Sequence, residues 1–217
     1  MVKILFINPN SSVEMTADIE REAKRYESND LEVDVVKCDD SPSAIEEPID
    51  DLIGGLNAVK LLQEKATEYD AAVIGCYGDP GLDAARSKVD IPVVGLFESC
   101  TYFGKLHGIR YSIITPGNWL DINGWEAMFR RYGEVDNIAS VKCMNASVET
   151  TSSVSDEVIA GFVNEAVQVD GASTAVLACS AFAGRASKIS EMTGFNVIDG
   201  IKESIFLAKM LVEYNEY

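Results

Sequence analysis

Cys76 and Cys179 are the residues on which chemistry can be built. Each ends an apolar run, AAVIGC in one case and STAVLAC in the other, and each is followed by small residues, YGDPGLDAAR and SAFAGRASK. Both stretches read as a buried strand passing into a closely packed helix. A thiol at a strand's C-terminal end meets the N-terminus of the next helix, where unpaired N–H groups and the helix dipole favour thiolate. Two such thiols from related stretches are expected to face each other across a cleft. Thiols so placed are candidates for a functional pair acting on a bound small molecule rather than for inert core cysteines.

Other residues group around this pair. Asn8 and Asn10 flank Pro9, so they read either as Asx-turn formers or as amides that bind a polar substrate, with Ser11 capping the next helix. Thr115 stands at the matching place in the second half. Gly78 leaves room for a ligand oxygen beside Cys76. Asp79-Pro80-Gly81 fits an N-cap followed by proline at the first helical position. Ser99 and Ser204 follow the last strand of each half and are expected near the cleft, whereas Glu98 and Glu203 read as solvated helix charges. Cys38, Cys100 and Cys143 lack a paired counterpart and read as packing residues; Phe97, Cys100 and Gly104 mark one packed helix face. His107, before Gly108, reads as a helix-end residue. Trp119 and Trp125 read as core, with Pro116-Gly117-Asn118 a candidate closing loop.

The elements that must position these residues come in two sets. KILFINPNSS and RYSIITPGNW each run from a basic residue through an apolar strand to Asn or Thr before Pro, and IPVVGLFES matches FNVIDGIKES with one insertion. With the cysteine stretches, three landmarks recur in one order, an internal repeat of roughly a hundred residues. Strands are expected at 2–7, 31–37, 71–76 and 92–95, then at 110–114, 137–143, 173–178 and 196–198. Helices are expected at 51–68 after Asp50 and Asp51, at 96–107, at 155–169 capped by Ser155, and at 200–214. The fold class is α/β: two pseudo-symmetric lobes, each a four-stranded parallel sheet flanked by helices, with residues 1–97 plus 200–217 in the first and 98–199 in the second. Ligands bind such sheets beyond the strand C-terminal ends, where Asn8, Cys76, Thr115 and Cys179 all fall.

Composition narrows the partners. The 217 residues carry 18 Lys and Arg against 35 Asp and Glu, a net charge of −17, which disfavours nucleic acid and anionic membranes. A small-molecule substrate and self-association into a homo-oligomer are expected instead. Five cysteines without C-x-x-C spacing and a single histidine leave no histidine-containing zinc pattern. Gly75, Gly78 and Gly81 resemble a phosphate loop, but no lysine follows and the dinucleotide spacing is wrong, so no cofactor and no metal is expected. The opening MVKILFINPN does not read as a signal peptide, no apolar run reaches spanning length, and a reducing, cytoplasmic setting is expected.

With these residues in place the chain resembles the aspartate/glutamate/hydantoin racemase superfamily, and within it the hydantoin and allantoin racemases. The resemblance rests on INPNSS (Ile7 to Ser12), CYGDPGLDAAR (Cys76 to Arg86), PVVGLFES (Pro92 to Ser99), YSIIT (Tyr111 to Thr115), RRYG (Arg130 to Gly133), VLAC ending at Cys179 and VIDGI (Val197 to Ile201). It implies a cofactor-free enzyme with Cys76 and Cys179 as the acid/base pair, and with Asn10, Gly78, Asp79, Thr115 and nearby amides holding substrate. Where hydantoin racemases usually read Ala-Gly-Met after the second cysteine, this chain has Ser180, Ala181 and Phe182, which implies an altered pocket wall. A maleate-type isomerase using a cysteine nucleophile, and a non-catalytic small-ligand binder, remain alternatives; a thiol–disulfide switch is the weakest.

Overall fold

A computed structural model describes residues 1–117 and 122–215. Its strands are β1 (Val2–Asn8), β2 (Leu31–Lys37), β3 (Ala71–Ile74), β4 (Val93–Gly95), β5 (Tyr111–Thr115), β6 (Ile138–Cys143), β7 (Thr174–Leu177) and β8 (Asn196–Ile198). The helices are α1 (Val13–Ala23), α2 (Pro48–Lys65), α3 (Leu82–Arg86), α4 (Leu96–Leu106), α5 (Ile122–Tyr132), α6 (Asp156–Gln168), α7 (Ala186–Thr193) and α8 (Ile201–Asn215). The chain divides into two compact units, Met1–Ser99 with α8, and Cys100–Gly200, so one boundary falls inside α4.

Each unit holds one four-stranded parallel sheet, ordered β2-β1-β3-β4 in the first and β6-β5-β7-β8 in the second. Ile4 to Ile7 and Ala71 to Ile74 are buried without a break, which requires helices on both faces of the sheet. In the first unit α2 and α3 cover one face over Leu5, Ile7, Ala72 and Ile74. The other face carries α1 and α8. Lys209 of α8 donates to Asp30 at 2.7 Å, and Phe206 meets the Tyr26 ring edge-on at 6.0 Å. In the second unit α6 and α7 pack on the sheet. Trp125 of α5 is buried and stacks on Phe129 at 5.7 Å. Among the described residues no helix is long and apolar enough to cross a membrane.

Local chemistry sets the helix starts. Ser155 caps α6 through Val158 N–H, as its place before two acidic residues predicts. Two expected starts move. Ser12, not Ser11, caps α1, because Asn10 Oδ1 takes Ser12 N–H at 2.9 Å and turns the Ser12 hydroxyl onto Met15 N–H, while Ser11 N–H bonds Pro42. The α2 helix begins at Pro48 rather than beyond Asp50: the Asp50 carboxylate accepts the N–H groups of Glu46 and Glu47 and closes the turn earlier.

Candidate functional site

In each sheet the strand order reverses between the first and third strands, and the C-terminal ends there form the crevice used by open α/β sheets. The last register pairs are Ile7 with Ile74 in one unit and Ile114 with Leu177 in the other. Asn8 and Thr115 therefore occupy one equivalent place, and Cys76 and Cys179 another.

The backbone around the two cysteines is duplicated bond for bond. Gly75 N–H donates to the Ile7 carbonyl at 2.8 Å, and Ala178 N–H to Ile114 at 2.7 Å. Cys76 N–H reaches the Ile74 carbonyl at 3.1 Å, as Cys179 reaches Leu177 at 2.9 Å. Each cysteine carbonyl then accepts the N–H three residues on, from Asp79 at 3.0 Å and from Phe182 at 2.9 Å. Cys76 is partly exposed, and Cys179 retains 9% exposure.

The expected helices directly behind the thiols are smaller and later. After Cys76 the chain turns through Gly78 and Asp79, and α3 starts at Leu82 behind Gly81 and has five residues. After Cys179, Ser180 to Phe182 form a single 3-10 turn, and α7 follows at Ala186. Small residues here allow close backbone approach rather than lengthening a helix. A Cβ on Gly55 would stand 2.9 Å from Gly81 N, and one on Gly54 would stand 3.0 Å from the Pro9 carbonyl. The Gly54-Gly55 pair thus seats α2 against both the Asn8–Asn10 loop and the turn after Cys76. Adjacent glycines inside a helix, destabilising in isolation, were the signal for this.

The polar candidates are engaged within their loops. Asn8 Nδ2 donates to Asn10 Oδ1 at 2.8 Å and Thr16 Oγ1 at 2.9 Å, and Asn10 is the Asx turn that organises the start of α1. Thr115 Oγ1 donates to the Gly117 carbonyl at 3.1 Å. Ser99 of α4 donates to the carbonyl of Gly95, the last residue of β4, at 2.7 Å, and Ser204 of α8 donates to the Ile201 carbonyl at 3.0 Å. Gly78 is buried in its turn and Ala181 is partly exposed. Ser180 is buried, and Phe182 is fully enclosed, its ring 6.0 Å from the Arg185 guanidinium.

Asp79 departs from its expected role. It has a left-handed backbone, φ 46, and does not cap the helix that follows it. Its carboxylate accepts the N–H groups of Phe97 at 3.0 Å and Glu98 at 2.9 Å, so it caps α4, eighteen residues further on. Glu98 and Glu203, expected in solvent, are both buried. Glu98 takes Gly95 N–H at 3.2 Å and pairs with Arg86 at 2.6 Å, which offsets its desolvation.

The remaining cysteines differ in environment. Burial first, then the Asp39 carboxylate, pushes the Cys38 thiol up to about 11. Cys100 and Phe97 are both fully buried, and a Cβ on Gly104 would meet the Tyr111 ring at 3.1 Å. Cys143 Sγ lies 3.8 Å from the Pro116 carbonyl. His107 follows α4, its N–H on the Gly104 carbonyl at 3.3 Å. Trp119 and Asn118 of the candidate closing loop lie outside the described residues.

Comparison with known proteins places this arrangement. The profile of the family described as Asp/Glu/Hydantoin racemase matches residues 4–208. A hydantoin racemase of Paenarthrobacter aurescens is 30% identical over 216 residues, 97% of this chain and 91% of the relative. Another from Pseudomonas sp. (strain NS671) is 30% identical over 98% of this chain and 86% of its own length. Among solved structures, an allantoin racemase from Klebsiella pneumoniae superposes with a TM-score of 0.94 at 26% identity, covering 99% of this chain and 89% of that one.

Proposed function

The chain belongs to the Asp/Glu/hydantoin racemase family, and from that premise we propose that it inverts the carbon beside a carbonyl in a 5-substituted hydantoin ring, the ureido-substituted ring of allantoin included. The isomerase class follows from the relatives. The ring and the mechanism are this proposal: the hydantoin and allantoin racemases that the chain resembles support the ring, and one observation carries the mechanism, the duplicated hydrogen-bond pattern that sets Cys76 and Cys179 at equivalent steps past β3 and β7.

Cys76 and Cys179 act as base and acid without a cofactor. One thiolate removes the ring proton on its face, the electron pair moves onto the carbonyl oxygen as an enolate, and the other thiol delivers a proton to the opposite face. The pair ends with its protonation states exchanged, ready for the other enantiomer. Turn amides at Gly78 and Ala181 are the donors for ring oxygens, since Asn8 and Thr115 spend their own side-chain hydrogens on shaping the loops.

Replacing either cysteine by serine, whose hydroxyl is far too weak an acid, should lower racemisation by about 10²–10⁴-fold. In heavy water each variant should still wash deuterium into one enantiomer, and the two variants should choose opposite ones. Exchange of the same enantiomer by both variants, or full racemisation by either, defeats the assignment.

A further inference from the structure

We propose that Asp79 and Asp199 are positioning residues for the two thiols, each a buried carboxylate that ties its unit's cysteine turn to the segment after the fourth strand, from opposite ends of the tie. This rests on Cys76 and Cys179 being the acid and base.

In the first unit the carboxylate belongs to the turn. Asp79 stands three residues after Cys76, is 1% exposed, and bonds the first-turn N–H groups of α4 with both oxygens. The space it fills is the side chain that Gly95 lacks: a Cβ there would lie 2.4 Å from the Asp79 carboxyl. Its φ of 46 is a conformation that non-glycine residues hold only where surrounding contacts fix it.

In the second unit the carboxylate belongs to the strand end. Ile74 pairs with Gly95 in one sheet; in the other, Val176 pairs with Ile198, and one step further brings Leu177 opposite Asp199. Asp199 thus takes the register place of Gly95. It is 4% exposed, and its Oδ2 accepts Gly184 N–H at 3.0 Å, five residues after Cys179. At the offset of Asp79 this unit carries the enclosed Phe182. The acceptor and the donor have changed sides while the tie persists. Charge-assisted bonds to N–H groups are strong, and losing those of Asp79 leaves the buried donors of Phe97 and Glu98 unsatisfied. A reacting group displaced by an ångström loses about 10²-fold in rate.

The test is Asp79→Ala, Asp79→Asn, Asp199→Ala and Gly95→Ala in the full chain. It reads kcat and KM for racemisation, and the pH profile of iodoacetamide alkylation at Cys76 and Cys179 resolved by peptide mass spectrometry. Asp79→Ala should lower kcat by about 10²-fold with KM little changed, and should move the Cys76 profile but not that of Cys179. Asp199→Ala should do the reverse. Gly95→Ala, which displaces the carboxylate without removing it, should copy Asp79→Ala, and Asp79→Asn, which keeps one acceptor oxygen, should fall between. A raised KM at unchanged kcat would make Asp79 a substrate ligand instead. Equal movement of both profiles in every variant, or of neither, also overturns the proposal. The alkylation profiles do not depend on turnover, so a failure of the two-thiol mechanism is read separately, from the serine variants.

Discussion

The two units share strand order, register and the hydrogen bonds around their cysteines, and they differ in almost everything that follows the thiol. The first unit leaves Cys76 through a strained aspartate, a left-handed glycine and a five-residue helix pressed on α2. The second leaves Cys179 through a 3-10 turn into a longer helix that pairs with α6. What is held constant is the place of the sulfur-bearing residue on the sheet; the means of holding it has diverged. Strand ends are fixed by ladders that use every backbone group, whereas a turn can be fastened by any acceptor that reaches it.

Glycine strain separates the units most sharply. Gly81 and Gly194 share φ 72, but a Cβ on Gly81 would meet Gly55 O at 2.8 Å, and one on Gly194 would meet nothing within 4 Å. Gly81→Ala should therefore cost about 3 kcal/mol, left-handed strain plus overpacking, and Gly194→Ala about 1 kcal/mol, strain alone. Denaturant midpoints measure both, and equal losses would break the claim that α2 bears on the Cys76 turn. Caps give a smaller contrast: Ser12→Ala should cost about 1 kcal/mol and Ser155→Ala about 0.5 kcal/mol, since the Ser12 bond is 3.2 Å and the Ser155 bond 3.4 Å. Reversal of that order in thermal melts would count against the bond lengths as the cause.

The smallest effect is expected at Cys38. Its N–H bonds the Asn8 carbonyl at 3.1 Å, the step filled in the second unit by Met144 on Thr115. With its thiol pushed up to about 11, little thiolate forms at pH 8, and in the native protein an alkylating reagent should leave Cys38 unmodified while labelling Cys76. Labelling of both at one rate, followed by mass spectrometry, would remove the distinction between packing and reactive cysteines.

The strands were legible from sequence because apolar runs such as Ile4 to Ile7 are short, rich in β-branched and aromatic residues and closed by turn residues such as Asn8-Pro9, which favours a buried strand over a helix. Their equivalence was legible because the repeat keeps its order. The ties were not, because their partners are remote: nothing in Asp79-Pro80-Gly81 distinguishes a carboxylate that caps its own helix from one that caps α4, with Phe97 eighteen positions away. Glu98 reads as a surface charge until Arg86 is brought beside it. Ser11 and Ser12 are equal candidates until Asn10 turns the chain. Local chemistry announces which groups can cap; tertiary contact decides which one does.

The return of α8 to the first unit reverses the expected order of manufacture. Residues 1–99 leave the ribosome first, yet the face of β1, β3 and β4 that α8 covers stays bare until residues 201–215 have been made. The unit from Cys100 to Gly200 is contiguous in the chain and has its strands and helices in hand earlier. The half translated first is thus the half finished last, and during synthesis Ile4 and Phe6, buried in the native sheet, wait longest for their cover.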